Sequence, residues 1–144
     1  MRIDGEWLLC DDGVTRPIIR GEILTGHGAW EPTEFLVDTA ADRTVFSAAL
    51  LAVLRLPATV SPHHLGGVGG LADAVVVETQ MRLHHAGGGK VVFRGQYAAV
   101  TNLEILDMSV LGRDIIRLFA VIIDQPGDVV CLLGQWHHYI IVQR

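Results

Sequence analysis

Short apolar runs of strand length, separated by glycine-rich turns, dominate this sequence and limit what it can fold into. Residues 15–24, 33–39 and 91–100 have the length and the apolar content of strands. Residues 45–57, which a proline ends, and residues 109–119 instead space their apolar side chains as one face of a helix. We therefore expect about seven to nine strands and one or two short helices. Because too few helices separate the strands for a βαβ arrangement, the predicted fold is mainly β and closed or folded over on itself.

Two further segments predict hairpins. Residues 61–85 form two strand-like arms around a cluster of glycines, and residues 119–133 form two apolar arms around a Pro-Gly turn. Pro126 and Gly127 occupy the second and third places of that turn, which is the arrangement of a type II turn. Residues 137–144 predict a last strand.

The composition argues against several classes of protein. We expect residues 1–144 to form a single domain, because the sequence shows no clear linker. A net charge of −5 argues against a nucleic-acid groove, which needs clustered Lys and Arg. No stretch approaches the roughly 18 apolar residues of a membrane span, and the start has no signal-peptide core, so a cytoplasmic location is expected. Half of the residues are hydrophobic, which fits either a strand-rich fold or a surface buried against a partner.

Cysteines and histidines can form disulfides and metal sites, but their spacing in this sequence favours neither. Cys10 and Cys131 form no CxxC motif, so we expect free thiols, with a disulfide between them left open. Histidine pairs stand at 63–64, 84–85 and 137–138. Adjacent strand residues point to opposite faces, so these pairs are expected to be solvated and not to bind a metal.

Three short segments carry the functional signal. Residues 35–42 read FLVDTAAD and place the ionisable Asp38 where an apolar strand gives way to a loop. Residues 65–70 read LGGVGG, without the following helix and the Lys of a phosphate-binding loop, and residues 110–116 read VLGRDII. An Asp after a strand is, by itself, more often a cap or turn residue than a catalyst.

Taken together and in this order, the three segments resemble the retropepsin-like aspartic proteases, single-domain enzymes related to retroviral proteases. The resemblance covers roughly residues 15–133. It implies a closed β-barrel with one or two short helices that functions as a homodimer and hydrolyses peptide or protein substrates. It implies neither a cofactor nor a metal, because in these proteases paired carboxylates supply both the acid and the base. The chain has one such Asp-Thr segment, so the second carboxylate has to come from a second copy.

The resemblance also assigns roles by position. Asp38 would be the catalytic acid and base, and Thr39 would hydrogen-bond across the dimer. Residues 65–71 would form a flap over the substrate, and Arg113 would be structural, pairing with the acid at position 42. The residues implied to bind substrate are Ala40, Ala41, Asp42, Arg43, Gly66, Gly67, Val68, Gly69 and Gly70.

Position 40 departs from the family pattern, which has glycine there. If that backbone needs a positive φ or very close substrate approach, the methyl group of Ala40 hinders it, whereas a negative φ accommodates it. Ala41 agrees with the retroviral type and cannot hydrogen-bond the carboxylate, so we expect a pH optimum that is weakly and not strongly acidic. Two alternatives stay open: a dimeric peptide-binding domain without the chemistry, which Ala40 favours, and a monomeric β-barrel binding module.

Overall fold

The computed structural model describes residues 1–62, 64–67, 70–134 and 142–143. Within these residues the chain forms thirteen strands and two short helices. The strands are β1 (Arg2–Asp4), β2 (Glu6–Leu9), β3 (Thr15–Leu24), β4 (Trp30–Val37), β5 (Val45–Phe46), β6 (Ala58–Val60), β7 (Leu65–Gly67), β8 (Gly70–Ala72), β9 (Ala74–His84), β10 (Lys90–Val100), β11 (Ser109–Leu111), β12 (Ala120–Asp124) and β13 (Val129–Leu133). The helices are α1 (Ala48–Leu54) and α2 (Arg113–Ile116).

Six strands close into a barrel, which confirms the predicted fold class. Their order is β3-β4-β11-β5-β10-β9, and β9 pairs with β3 again to close the ring. Gly21 lies at the closing point, where it is paired with Thr33 of β4 and with Leu83 of β9. A Cβ atom at Gly21 would lie 2.8 Å from the Leu83 side chain and 3.2 Å from the carbonyl oxygen of Arg82. Glycine therefore lets β3 contact both neighbours at once.

An aromatic cluster fills the barrel. Phe35 and Phe46 are fully buried, with ring centroids 6.3 Å apart, and Phe46 stacks on Tyr97 at 5.1 Å. Burial, with a smaller effect from the charge of Asp114, raises the pKa of Tyr97 to about 12. The Tyr97 hydroxyl accordingly stays neutral and donates to the carbonyl of Phe93 at 2.9 Å, so its one polar atom inside the fold has a partner.

The predicted hairpin over residues 119–133 is present as β12 and β13, which join β1 in a separate three-stranded sheet. Its turn is not of type II, because the positive φ (55°) falls on Asp128 and not on Gly127. The Asp124 carboxylate instead accepts a hydrogen bond from the Gly127 amide at 3.0 Å, and Asp tolerates the left-handed region better than most residues. The indole of Trp7 donates to carbonyls of this hairpin and links the sheet to β2.

Both predicted helices are shorter than their apolar spacing indicated. Val45 and Phe46 form a barrel strand, and α1 begins only after Ser47, whose hydroxyl accepts from the Leu50 amide at 3.2 Å. Residues 109–111 likewise form strand β11 before the four-residue α2. Strand pairing in the barrel overrides the local helical periodicity at both places.

The strand count exceeds the predicted seven to nine because short strands escaped the sequence pattern. Strands β1, β2 and β6 were not predicted, and the arms around the glycine cluster divide into β7, β8 and β9. The strand predicted over residues 137–144 lies outside the described residues except for 142–143, which have no assigned element. No described helix is long and apolar enough to cross a membrane. Both cysteines are free.

A charged network on the barrel wall predicts a pH-dependent stability. Arg82 donates two 2.9 Å hydrogen bonds to Glu22 and stacks over Trp30 at 4.1 Å, and His84 lies 2.5 Å from the same carboxylate. These hydrogen bonds, from Arg82 above all, lower the pKa of Glu22 to about 2. Because the folded pKa lies below the unfolded one, this stabilisation is complete above about pH 5 and is lost as the pH falls towards 2.

We expect Glu22→Gln to lower the free energy of unfolding by about 1 kcal/mol at pH 7. The difference from the wild type should disappear between about pH 4 and 2. Urea unfolding across that range measures it, with Glu78→Gln, on the exposed side of β9, as the matched control. A difference that persists unchanged at pH 2 would contradict the assigned role of the carboxylate.

Candidate active site

Asp38 lies at the end of two parallel barrel strands. Its amide donates to the carbonyl of Leu111 at 3.1 Å, which continues the pairing of β4 with β11. One carboxylate oxygen, Oδ1, accepts from the Ala40 amide at 3.0 Å, and the carbonyl of Asp38 accepts from the Ala41 amide at 3.3 Å. The side chain is half-buried, and its Oδ2 receives no hydrogen bond from the described part of the chain. A tight turn thus fixes the carboxylate and leaves one of its oxygens available.

Ala40 does not have the backbone conformation that would require glycine. Among the described non-glycine residues, positive φ angles occur only at Arg55 and Asp128. Ala40 is also exposed, so its methyl group lies on the surface of the loop. The backbone of this loop therefore accommodates alanine without strain.

Arg113, at the start of α2, holds the loop that carries Asp38. Its guanidinium forms an ion pair with Asp42, as the resemblance implied, and donates to the carbonyl of Thr39 at 3.2 Å. Its backbone amide donates to the carbonyl of Ala41 at 2.8 Å. Arg113 therefore makes three interactions with the residues that follow Asp38, and these interactions fix the loop.

A second contact between the loop and the same helix was missed by the sequence analysis. Thr44 is fully buried, and both its amide and its hydroxyl donate to Oδ1 of Asp114, at 2.9 and 2.8 Å. The hydroxyl also accepts from the Gly112 amide at 3.1 Å, and Asp114 accepts from the Ile115 amide. The sequence feature that could have indicated this contact is the acidic residue in the first helical turn after Gly-Arg. Carboxylates at such a place accept hydrogen bonds from backbone amides that have no partner within the helix.

A groove of about 780 Å³ lies beside this loop. It is bounded by residues 40–43, by apolar barrel residues that include Val45 and Val110, and by the loop at residues 104–106. The predicted substrate-binding residues that the structure brings together here are Ala40, Ala41, Asp42, Arg43, Gly66, Gly67 and Gly70. Asp38 and Thr39 directly precede the lining residues 40–43 in the sequence, but in the single chain they do not line the groove themselves. Val68 and Gly69 lie outside the described residues.

The predicted flap is a hairpin of its own. Strands β7 and β8 pair only with each other among the described strands, from Leu65 with Ala72 to Gly67 with Gly70. Gly70 has a φ of 108°, which favours glycine. At the base of the hairpin, Nδ1 of His64 lies 3.1 Å from a carboxylate oxygen of Asp73. The hairpin thus borders the groove without being part of the barrel.

The described residues contain no group of three or more His, Cys, Asp or Glu side chains placed to hold a metal ion.

Comparison with known proteins agrees with this arrangement. A family model described as aspartyl protease matches residues 21–115, which is more than half of the chain and includes both the Asp38 loop and the start of α2. The chain belongs to the retropepsin-like aspartyl proteases. No curated protein sequence matches it.

Two solved aspartyl protease structures are similar in fold. The EIAV protease complexed with the inhibitor HBY-793 is 23% identical, and the match covers 71% of this chain and 86% of that one with a TM-score of 0.54. A retropepsin-like aspartic protease from Rickettsia conorii is 18% identical, and the match covers 92% of this chain and 88% of that one with a TM-score of 0.53. At these identities the likeness concerns the fold.

The buried contact between Thr44 and Asp114 predicts a stability effect in this aspartyl protease. We expect Thr44→Val, which keeps the shape of the side chain, to lower the free energy of unfolding by about 1–3 kcal/mol. It leaves Asp114 and the Gly112 amide each without one hydrogen bond. Urea unfolding measures the change, with the exposed Thr59→Val as the matched control. Equal unfolding midpoints for the wild type and Thr44→Val would show that the contact contributes nothing.

Proposed function

We propose that this protein is an aspartic endopeptidase that acts as a homodimer, with Asp38 of each copy at the two-fold axis. The observation that carries the proposal is the placing of Asp38. It lies in a tight turn at the end of a strand pair, in a loop that Arg113 fixes and beside a groove under a glycine hairpin. Family membership supports a peptidase in general, and the site residues make the proposal specific.

The proposed reaction uses two carboxylates that share one proton. Like charges held close together do not both ionise readily, so one carboxylate is protonated while the other is not. The ionised group takes a proton from water as the water oxygen attacks the peptide carbonyl carbon, and the protonated group gives its proton to the carbonyl oxygen. As the tetrahedral intermediate collapses and the C–N bond breaks, the carboxyl group that took a proton from water passes it to the departing nitrogen. The other carboxylate takes a proton from a hydroxyl group of the intermediate, which leaves a carboxylic acid product and restores the shared proton.

The second copy is required because one chain supplies one carboxylate of this kind. Thr39 is exposed next to Asp38, where its hydroxyl is available to the partner loop. We propose that it hydrogen-bonds across the two-fold axis and keeps the two carboxylates in register. Residues 1–144 would act as one domain in each copy, since a Cβ atom at Gly5 would collide both with the carbonyl oxygen of Ile18 in β3 and with the Val130 side chain in β13, so the three-stranded sheet is in close contact with the barrel.

The substrate would bind as an extended strand between the loop and the flap. Residues 40–43 line the groove, and residues of β7 and β8 line it as well. An extended peptide takes main-chain hydrogen bonds from both, and its alternate side chains enter the apolar walls. A Cβ atom at Gly67 would meet only open space, and one at Gly66 would lie in ordinary contact with the Leu71 side chain at 3.5 Å, which leaves room for this approach.

The decisive test is the cleavage of a mixed peptide library between about pH 4 and 7. We expect the wild type to cut and Asp38→Asn to lose ~10³-fold or more of the activity while sedimentation shows the dimer unchanged. Asp11→Asn, in an exposed turn, is the matched control and should keep full activity. A folded wild-type dimer that binds peptides and cuts none would instead identify a binding domain of the same fold.

The residue at position 41 predicts the pH dependence of that activity. Alanine gives the carboxylate no hydroxyl partner, so the optimum should lie between about pH 4 and 6 and not at pH 3 or below. Ala41→Ser adds a donor that favours the ionised form, so its acid limb should move to lower pH. Profiles of kcat/KM against pH measure this, with Ala49→Ser on the exposed side of α1 as the control. A wild-type maximum at about pH 3 would contradict the argument.

A further inference from the structure

We propose that Arg43 makes the groove selective for peptides that carry an acidic side chain on each side of the bond that is cut. The inference rests on the proposed function and adds a substrate class to it. Arg43 lines the groove, and its side chain is exposed. The ion pairs and side-chain hydrogen bonds of the described residues do not include its guanidinium.

The other charged groups of the groove are mostly engaged elsewhere. Asp42 pairs with Arg113, so it does not neutralise the neighbouring Arg43. His64 pairs with Asp73 at the base of the flap. Glu104 remains as an unpaired carboxylate in the described part of the groove wall, and it forms no ion pair with Arg43. Arg43 is therefore the cation that a peptide in the groove meets without first displacing an internal partner.

The backbone of Arg43 is fixed, which distinguishes it from Glu104. The next residue, Thr44, is anchored to Asp114 through both its amide and its hydroxyl. A Cβ atom at Gly112 would collide with the backbone of Arg43, so the two segments are in close contact. Glu104 lies in an exposed turn held by a local hydrogen bond to the side chain of Asn102. A charge on a fixed backbone loses less freedom when a ligand binds to it.

Among the side chains of a peptide, a guanidinium favours a carboxylate over a neutral or a basic group. It offers a planar fork of donors that can bind both carboxylate oxygens at once. Since the proposed dimer is symmetric, each copy places one Arg43 beside its own half of the groove. The preferred peptide would thus carry Glu or Asp on either side of an apolar centre, which fits the apolar walls at Val45 and Val110.

Two readouts test the proposal. Peptides with an apolar centre carry Glu, Gln or Lys at each flanking position in turn, and kcat/KM is measured for the wild type, Arg43→Gln and Arg43→Glu. Binding of the same fluorescent peptides to the Asp38→Asn dimer is measured by anisotropy and needs no cleavage. Arg94→Gln, exposed on β10, is the matched control.

We expect the wild type to prefer Glu over Lys by about three- to tenfold, and the preference to weaken as salt is added. Arg43→Gln should abolish the preference, Arg43→Glu should reverse it, and Arg94→Gln should leave it unchanged. Cleavage without any preference for Glu would overturn this inference and leave the proposed function standing. Binding that prefers Glu without cleavage would keep the inference and overturn the proposed function. Neither cleavage nor binding would overturn both.

Discussion

The hydrogen bonds between the Asp38 loop and the first residues of α2 are the contact on which the rest of the site depends. Loops on a protein surface are normally its more mobile parts, and the catalytic role that we propose for Asp38 needs a defined position. Here Arg113 and Asp114 contact the loop from Thr39 to Thr44. The stabilisation is mutual, because a four-residue helix is too short to be stable without such contacts.

The order of strands in the barrel explains why this contact exists. Strand β11 lies between β4 and β5. The chain leaving β4 must therefore cross the end of β11 before it can enter β5, and this crossing is the loop from residue 38 to residue 44. Gly112 follows β11 directly beneath the crossing, where a Cβ atom would collide with the backbone of Arg43. In the Gly-Arg-Asp sequence, the glycine is thus small enough for the loop to pass over it, and the side chains of the arginine and the aspartate hold that loop.

The sequence was informative where a residue's role is local. The apolar runs located β3 and β10 closely, and the order of three short segments indicated the family and the groove. It was misleading where pairing across the barrel decides the structure: the apolar spacing around Val45 and Val110 favoured helix, yet both residues lie in strands. Thr44 was passed over because its importance depends on Asp114, which lies 70 positions away in the chain. The turn at Asp128 was mispredicted because Pro and Gly were read without the hydrogen bond that the Asp124 carboxylate accepts from the Gly127 amide.

Alanine at position 40 departs from the family pattern, which has glycine there. Glycine can be needed for its backbone freedom, for its lack of a side chain, or for both. The negative φ of Ala40 removes the first reason, because any residue can adopt that conformation. The second reason concerns space, since Ala40 lines the groove. The alanine therefore bears on the space beside the loop and not on the backbone conformation that presents Asp38. In the function that we propose, substrate contacts would accordingly come more from the hairpin of β7 and β8, the apolar walls and Arg43 than from close packing against position 40.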